Sequence, residues 1–237
     1  ENAARAIINS GNPYQGTYYL YPPLTAQVMA LAYKICLPLV SIAYGRPPEL
    51  ESITWGVIFY LYQCFQFFIV LLTYYLCFRL ARKISQANMP SLLIVTALLL
   101  FNNPLIRTLK FNQVNLFILV LLLLAILCLP RYPIVSGLAL AIGTHIKLYP
   151  SIIGIPLLFM KKWRALLSAV IGFGIIVVFQ TQGGRHWQLW KDFLSFFASF
   201  PRGSGFRDNS LYSISYNLVH LIVQWLQLES LPWQEIV

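Results

Sequence analysis

The sequence predicts an all-α, polytopic transmembrane helical domain, with short broken helices and further helices lying along its external surface. Three observations carry that expectation. The 237 residues are 58% hydrophobic and only 10% charged, where a soluble domain carries roughly 25% charged residues. Apolar runs approaching the ~20 residues that cross the hydrocarbon as a helix recur along the chain. None of them alternates with period two as a lipid-facing barrel strand would, so they read as helices. A water-soluble domain is excluded by the same figures.

Residues 54 to 78 are long enough to span outright. Residues 90 to 106 and 114 to 130 are each slightly short but dense in Leu, Ile and Val, and read as two crossings joined by the polar connection Asn102 to Gln113. Residues 165 to 180 and 211 to 228 make two more, with a 30-residue polar and aromatic stretch between them. Short loops rich in Lys and Arg stay on the cytoplasmic side. That rule groups Arg79, Arg82 and Lys83 with Arg131 and with Lys161, Lys162 and Arg164 at one face, and it puts the Asn102 to Gln113 connection outside.

Only 29 residues separate Arg131 from Lys161, and two full crossings would need about 40. The spacing therefore predicts a hairpin of two short helices. Its apex lies near His145, Lys147 and Pro150, with Gly137, Gly143, Gly154 and Pro156 available to bend or break the backbone. Irregular backbone at membrane depth is tolerated only where it is buried in protein or lines a cavity. The same parity places Gly183 to Asn209 and Tyr44 to Ser52 outside and leaves Pro22 to Ala43 with no crossing to make. That segment is predicted as a partly embedded helix pair on the external side; a single transmembrane helix is the alternative, and it would bring the N-terminus inside. The chain begins at Glu1 without an initiating Met or signal peptide and stops just after an apolar helix. Residues 1 to 237 thus read as one membrane domain cut from a longer protein at both ends.

Seventeen Lys and Arg against seven Asp and Glu give a formal charge of +10, but the cations lie between apolar runs and form no continuous strip. The expected partners are the lipid bilayer and a phosphate-bearing lipid, not nucleic acid. Cys36, Cys64, Cys77 and Cys128 have no CxxC spacing and no adjacent His, so they read as small core or lipid-facing residues.

Ionisable residues at membrane depth cost at least about 2.5 kcal/mol each on insertion scales and call for a partner or a task. Lys147 is the clearest: its ammonium either snorkels to the interface or sits in a cavity to bind a phosphate. Arg107, Lys110, Gln113 and Asn115 gather on the short external connection, and the last two continue into the first turn of the next helix. They are either ordinary interfacial polarity or an anion site built from cations and free helix N–H groups. Carboxylates outside are few: Glu1, Glu49, Glu51, Asp192 and Asp208. No cluster of them could hold a metal, and none is required. The aromatics His186, Trp187, Trp190, Phe193, Phe196, Phe197 and Phe200 read as an interfacial belt, or as a platform on which sugars stack. His220 reads as a packed core residue.

Several local patterns resemble one family. Gly11-Asn12-Pro13-Tyr14 followed by Tyr21-Pro22-Pro23-Leu24 resembles the first external loop of family 87 glycosyltransferases, polyprenol-phosphate-mannose-dependent mannosyltransferases of the GT-C superfamily. Asn112-Gln113-Val114-Asn115-Leu116 resembles their Gly-Gln-Val-Asn pattern, with Asn112 in place of Gly. Gly137 through Lys147-Leu148-Tyr149-Pro150, ending in Lys161-Lys162-Trp163-Arg164, resembles their Gly…Lys-x-Tyr-Pro…basic-basic-Trp block. Asp208-Asn209-Ser210-Leu211 is similar to an Asn-Gln-Ser-Leu pattern and departs from it at its first two positions.

The resemblance implies a GT-C-like fold with external juxtamembrane helices, in a multi-pass protein of a bacterial plasma membrane whose active site faces outward. The implied reaction moves a hexose, mannose above all, from a polyprenyl-phosphate sugar donor to a glycan or glycolipid acceptor. Lys147, with Arg107 and Lys110, would neutralise the donor phosphate. Gln113, Asn115, Tyr21, Tyr14 and Asn209 would position the substrates. The catalytic base would be an Asp just upstream of Glu1, with Glu1 or Asp208 as substitutes within this chain. A secondary transporter or lipid flippase is the competing class; it predicts an inverted repeat, and the two halves of the sequence show none.

Overall fold

The computed structural model describes residues 2–14, 21–45, 47–110 and 113–199, and all regular structure among them is helical. In order these are α1 (Asn2–Ser10), α2 (Pro23–Tyr44), α3 (Leu50–Ser85), α4 (Asn88–Leu100), α5 (Asn103–Lys110), α6 (Asn115–Cys128) and α7 (Pro133–Ile146). A 3-10 turn, η1 (Tyr149–Ile153), then leads through α8 (Gly154–Phe159) to α9 (Trp163–Gln180) and α10 (Gln188–Ser199). By packing the chain divides into residues 1–194 and 195–237; of the second unit only the last residues of α10 are described. The expected helix over 211 to 228 lies outside the described residues.

Helices α2, α3 and α9 are long and apolar enough to cross a membrane, and α4, α6 and α7 are shorter apolar helices. The chain is a membrane protein. Length decides the architecture. At 1.5 Å per residue the 36 residues of α3 run to about 54 Å, well beyond a hydrocarbon core of about 30 Å. The 13 or 14 residues of α4, α6 and α7 reach only about 20 Å. Helices of such unequal length, packed side by side, leave a step where the short ones end.

Ile69 and Leu76 of α3 pack with Leu116, Val120 and Leu123 of α6, and the ring of Tyr62 stacks on Phe117 at 5.9 Å. The turns of α3 before Tyr62 therefore project past the start of α6. On those projecting turns, Trp55 and Ile58 hold Ala4 of α1 and Ala30 of α2, Tyr33 stacks on Trp55 at 4.9 Å, and Arg5 pairs with Glu51. Gln27 reaches the carbonyl of Gln180 at the end of α9 (3.1 Å). These contacts of α2 with the start of α3 and the end of α9 belong to one end of the bundle. The segment expected as a helix pair over 22 to 43 is instead one continuous helix. Pro22 and Pro23 start it where their missing N–H groups cost nothing, and Pro38 is accommodated inside it.

The predicted hairpin between Arg131 and Lys161 is present as α7, η1 and α8. Gly137 in α7 faces Ala165 and Ser168 in the first turns of α9, and His145 at the end of α7 faces Phe173 further along α9. The two helices therefore run parallel, and η1 with α8 makes the return between them. Gly137 does not break the backbone, contrary to one use expected of it. A Cβ there would lie 2.2 Å from the Ala165 carbonyl oxygen and 1.9 Å from Ser168 Oγ, so glycine is what lets α7 and α9 touch. Gly172 serves the same contact from α9, against Leu138 and Ala141. Ser136 Oγ donates to the Ala125 carbonyl (2.7 Å), tying α7 to α6. The break falls at Lys147, whose extended backbone ends α7.

The connection Asn102 to Gln113 is not a plain loop, since α5 occupies most of it. The aromatic stretch also divides: Trp190 and Phe193 are buried, whereas Trp187 and Phe197 are exposed.

Candidate active site

Three helix ends meet at the step left by the short helices: the close of α5, the start of α6 and the break after α7. Their polar side chains join there. The Lys147 ammonium donates to Asn115 Oδ1 at 2.8 Å. The Asn115 amide in turn donates to Gln113 Oε1 at 2.7 Å and to Thr108 Oγ1 at 3.3 Å. The Gln113 backbone N–H closes the turn on the Thr108 carbonyl (2.9 Å). The face of the Tyr21 ring lies 5.1 Å from Lys147 Nζ, a cation–π distance.

Each residue is where it is for a local reason. Lys147 follows the last turn of α7 and its extended backbone turns the side chain away from the helix axis. Asn115 opens α6, where backbone N–H groups have no intrahelical acceptor. Thr108 is the inward residue of a strongly amphipathic α5: it is buried, while Arg107 and Lys110 on the same helix are exposed.

Tyr21 is set by Tyr14, whose hydroxyl donates to the Tyr21 carbonyl at 2.9 Å. Tyr14 is buried, takes a bond from its own N–H to Asn12 Oδ1 (3.0 Å) and packs on Phe193 at 5.7 Å. Asn12 Nδ2 donates to Asp192 Oδ2 at 2.5 Å, and Gln188 Nε2 to Asp192 Oδ1 at 2.6 Å. The first loop is thus pinned to α10. Trp190 of α10 seals the other flank: its edge meets His145 at 5.6 Å and its Nε1 donates to Gln180 Oε1 at 3.2 Å. His145 is fully buried, stacked on Phe173 at 4.2 Å, with Nε2 at 3.0 Å from the Phe173 carbonyl.

Of the residues expected from sequence, Lys147, Asn115, Gln113 and Tyr21 come together, and Tyr14 supports them from behind. Arg107 and Lys110 share the helix but point to its exposed face. Glu1, Asp208 and Asn209 lie outside the described residues, as does Asn112 of the Asn112-Gln113-Val114-Asn115 pattern. Sequence reasoning missed Thr108, whose signal is its seven-residue separation from Asn115 across a turn, and the inward pair Trp190 and Phe193.

Among the described residues the site brings the Lys147 ammonium together with neutral amides, a hydroxyl and an aromatic face, and no carboxylate takes part in these contacts. Such a set suits an anion with several acceptor oxygens. The family model of glycosyltransferase family 87 matches residues 19–234. No curated protein and no solved structure matches the chain.

Proposed function

The chain belongs to glycosyltransferase family 87, and from that premise we propose that it moves a hexose, mannose in first place, from a polyprenyl-phosphate sugar to a hydroxyl of a glycan or glycolipid at the external membrane face. The observation that carries this reading is the Lys147–Asn115 contact at the recessed ends of α6 and α7. A cation there, with no carboxylate against it among the described residues, is poised for an anionic group that arrives with a lipid.

In the proposed reaction the acceptor oxygen attacks the anomeric carbon, its proton passes to a carboxylate base, and the bond from that carbon to the phosphate oxygen breaks. The phosphate leaves with the electron pair, so negative charge grows beside Lys147 as the transition state is reached. A preorganised cation there lowers the barrier more than it tightens donor binding. Gln113 and Asn115 hold the phosphate or the sugar, Tyr21 supports the ammonium, and Tyr14 fixes Tyr21. Arg107 and Lys110 draw the anion toward the site from the exposed face of α5. The base is a carboxylate of the first external loop upstream of Glu1, with Glu1 and Asp208 as substitutes, and Asn209 orients the acceptor.

The test is transfer of radiolabelled mannose in membranes containing the full-length protein. Polyprenyl phosphate mannose should serve as donor and a nucleotide-linked mannose should not. Transfer from the nucleotide sugar alone would overturn the donor class.

A further inference from the structure

The end of α7 opposite Lys147 belongs to a face of unpaired cations, to which three distant turns of the chain contribute. Leu76 of α3 packs with Leu123 of α6, and Leu80 and Leu127 extend that contact. Arg82 and Lys83 in the last turn of α3 therefore lie at the end where α6 gives way to Arg131. Ser168 Oγ of α9 donates to the Ile134 carbonyl of α7 (3.1 Å), which sets the Arg131 turn beside Lys161, Lys162 and Arg164. All six cations are exposed, and among the described residues none of their side chains makes a hydrogen bond or an ion pair. No Asp or Glu occurs between Glu51 and Asp192. Both of those lie at the other end, Glu51 against Arg5 and Asp192 against Asn12.

We propose that this face binds the phosphodiester headgroups of anionic phospholipid in the adjoining leaflet, centred between Arg131 and the Lys161 to Arg164 turn.

Orienting the chain in a bilayer requires only that cations sit in short loops. The turn between α8 and α9 goes further. Lys161 takes φ +54°, a left-handed conformation for which glycine is the usual residue at a helix end. The Lys162 N–H closes the turn on the Leu157 carbonyl (2.9 Å), so a lysine is held in place there despite its conformational cost. Tyr132 and Trp163, 57% and 52% exposed, begin α7 and α9 at the same level; such amphipathic rings settle among headgroups. Next along the two helices, Ile134, Leu138, Leu167 and Ile171 are exposed and offer apolar surface to acyl chains. Charge, ring and hydrocarbon follow the order of a phospholipid, whereas free phosphate would use only the first.

The test uses full-length protein in detergent, with bound lipid counted by native mass spectrometry. Phosphatidylglycerol should bind at least about tenfold more tightly than phosphatidylcholine of the same chains, and added salt should weaken it. Lys161→Gln combined with Lys162→Gln should lower phosphatidylglycerol affinity about tenfold or more, since each cation near an anionic headgroup contributes about a fivefold factor. Arg185→Gln combined with Lys191→Gln removes the same charge from the opposite end and should leave that affinity unchanged. Equal affinity of the wild-type protein for the two lipids, or equal losses in the two double variants, would overturn the assignment. So would displacement of the lipid by inorganic phosphate at equal concentration.

Because removing these charges can also invert insertion, a second measurement is made on wild-type protein in lipid nanodiscs. Phosphatidylglycerol carrying a photoreactive headgroup should label peptides from 129 to 133 or 160 to 166. Labelling confined to 183 to 191 would refute the proposal.

Discussion

Replacing Lys147 with Ala removes the side chain that hydrogen-bonds from the break after α7 to Asn115 at the start of α6. The cost to folding should be modest, because Lys147 contributes one side-chain hydrogen bond, to Asn115 Oδ1. The cost to catalysis should be large. Charge on the departing phosphate develops within reach of the ammonium, and removing one preorganised partner of that kind typically costs about 2.7 to 4 kcal/mol, a hundred- to thousand-fold in kcat. Lys147→Arg keeps the charge but changes reach and geometry, so it should restore only part of the rate. The assay is transfer of labelled mannose from polyprenyl phosphate mannose by full-length protein, with expression and detergent stability measured alongside. Wild-type kcat in a folded Lys147→Ala protein would remove the residue from the mechanism.

Three further expectations follow from other parts of the structure. Asn115→Asp sets a carboxylate beside Lys147 and against the donor phosphate; donor KM should rise about tenfold or more, since juxtaposed like charges cost several kcal/mol, and an unchanged KM would dissociate Asn115 from the phosphate. Gly137→Ala drives a methyl into the Ala165 carbonyl and should destabilise by about 1 to 3 kcal/mol, whereas Gly174→Ala, with nothing within 4 Å of the new atom, should be neutral or slightly stabilising; thermal denaturation in detergent compares them. In a background with the four native cysteines replaced, cysteines at Lys83 and Lys162 should label from the cytoplasm only and one at Gln113 from outside only. Labelling of positions 113 and 162 from the same face would contradict the return made by η1 and α8.

What could be read from the sequence was what depends on length and charge alone. The long apolar run inside α3 and the 29 residues between Arg131 and Lys161 are bounds on how far a helix can reach, and arithmetic on them anticipates the span and the broken hairpin. Lys147, Gln113 and Asn115 were legible because a cation and amides are conspicuous in such apolar surroundings. The rest depends on neighbours. Pro38 suggests a break in α2, yet a helix resting on α1 and α3 carries it. Eight residues are too few for periodicity to declare α5 a helix, so Thr108 looked like any polar residue in a loop. Whether Trp190 and Phe193 face inward while Trp187 faces out depends on α10 meeting Tyr14, Gln180 and His145, and Tyr14 lies more than 100 residues before Phe193 in the chain. Glycines in a hairpin advertise flexibility, but at Gly137 the operative fact is the missing Cβ against α9.

The most direct test is the position of the donor phosphate. A structure of the full-length protein with a non-hydrolysable phosphonate analogue of polyprenyl phosphate mannose would locate it. The phosphorus group should sit within hydrogen-bonding distance of Lys147 Nζ, with Asn115 or Gln113 on a second oxygen and the mannose directed toward the Tyr21 side. A phosphonate bound elsewhere, with Lys147 still donating to Asn115, would contradict the assignment of this cluster as the donor site.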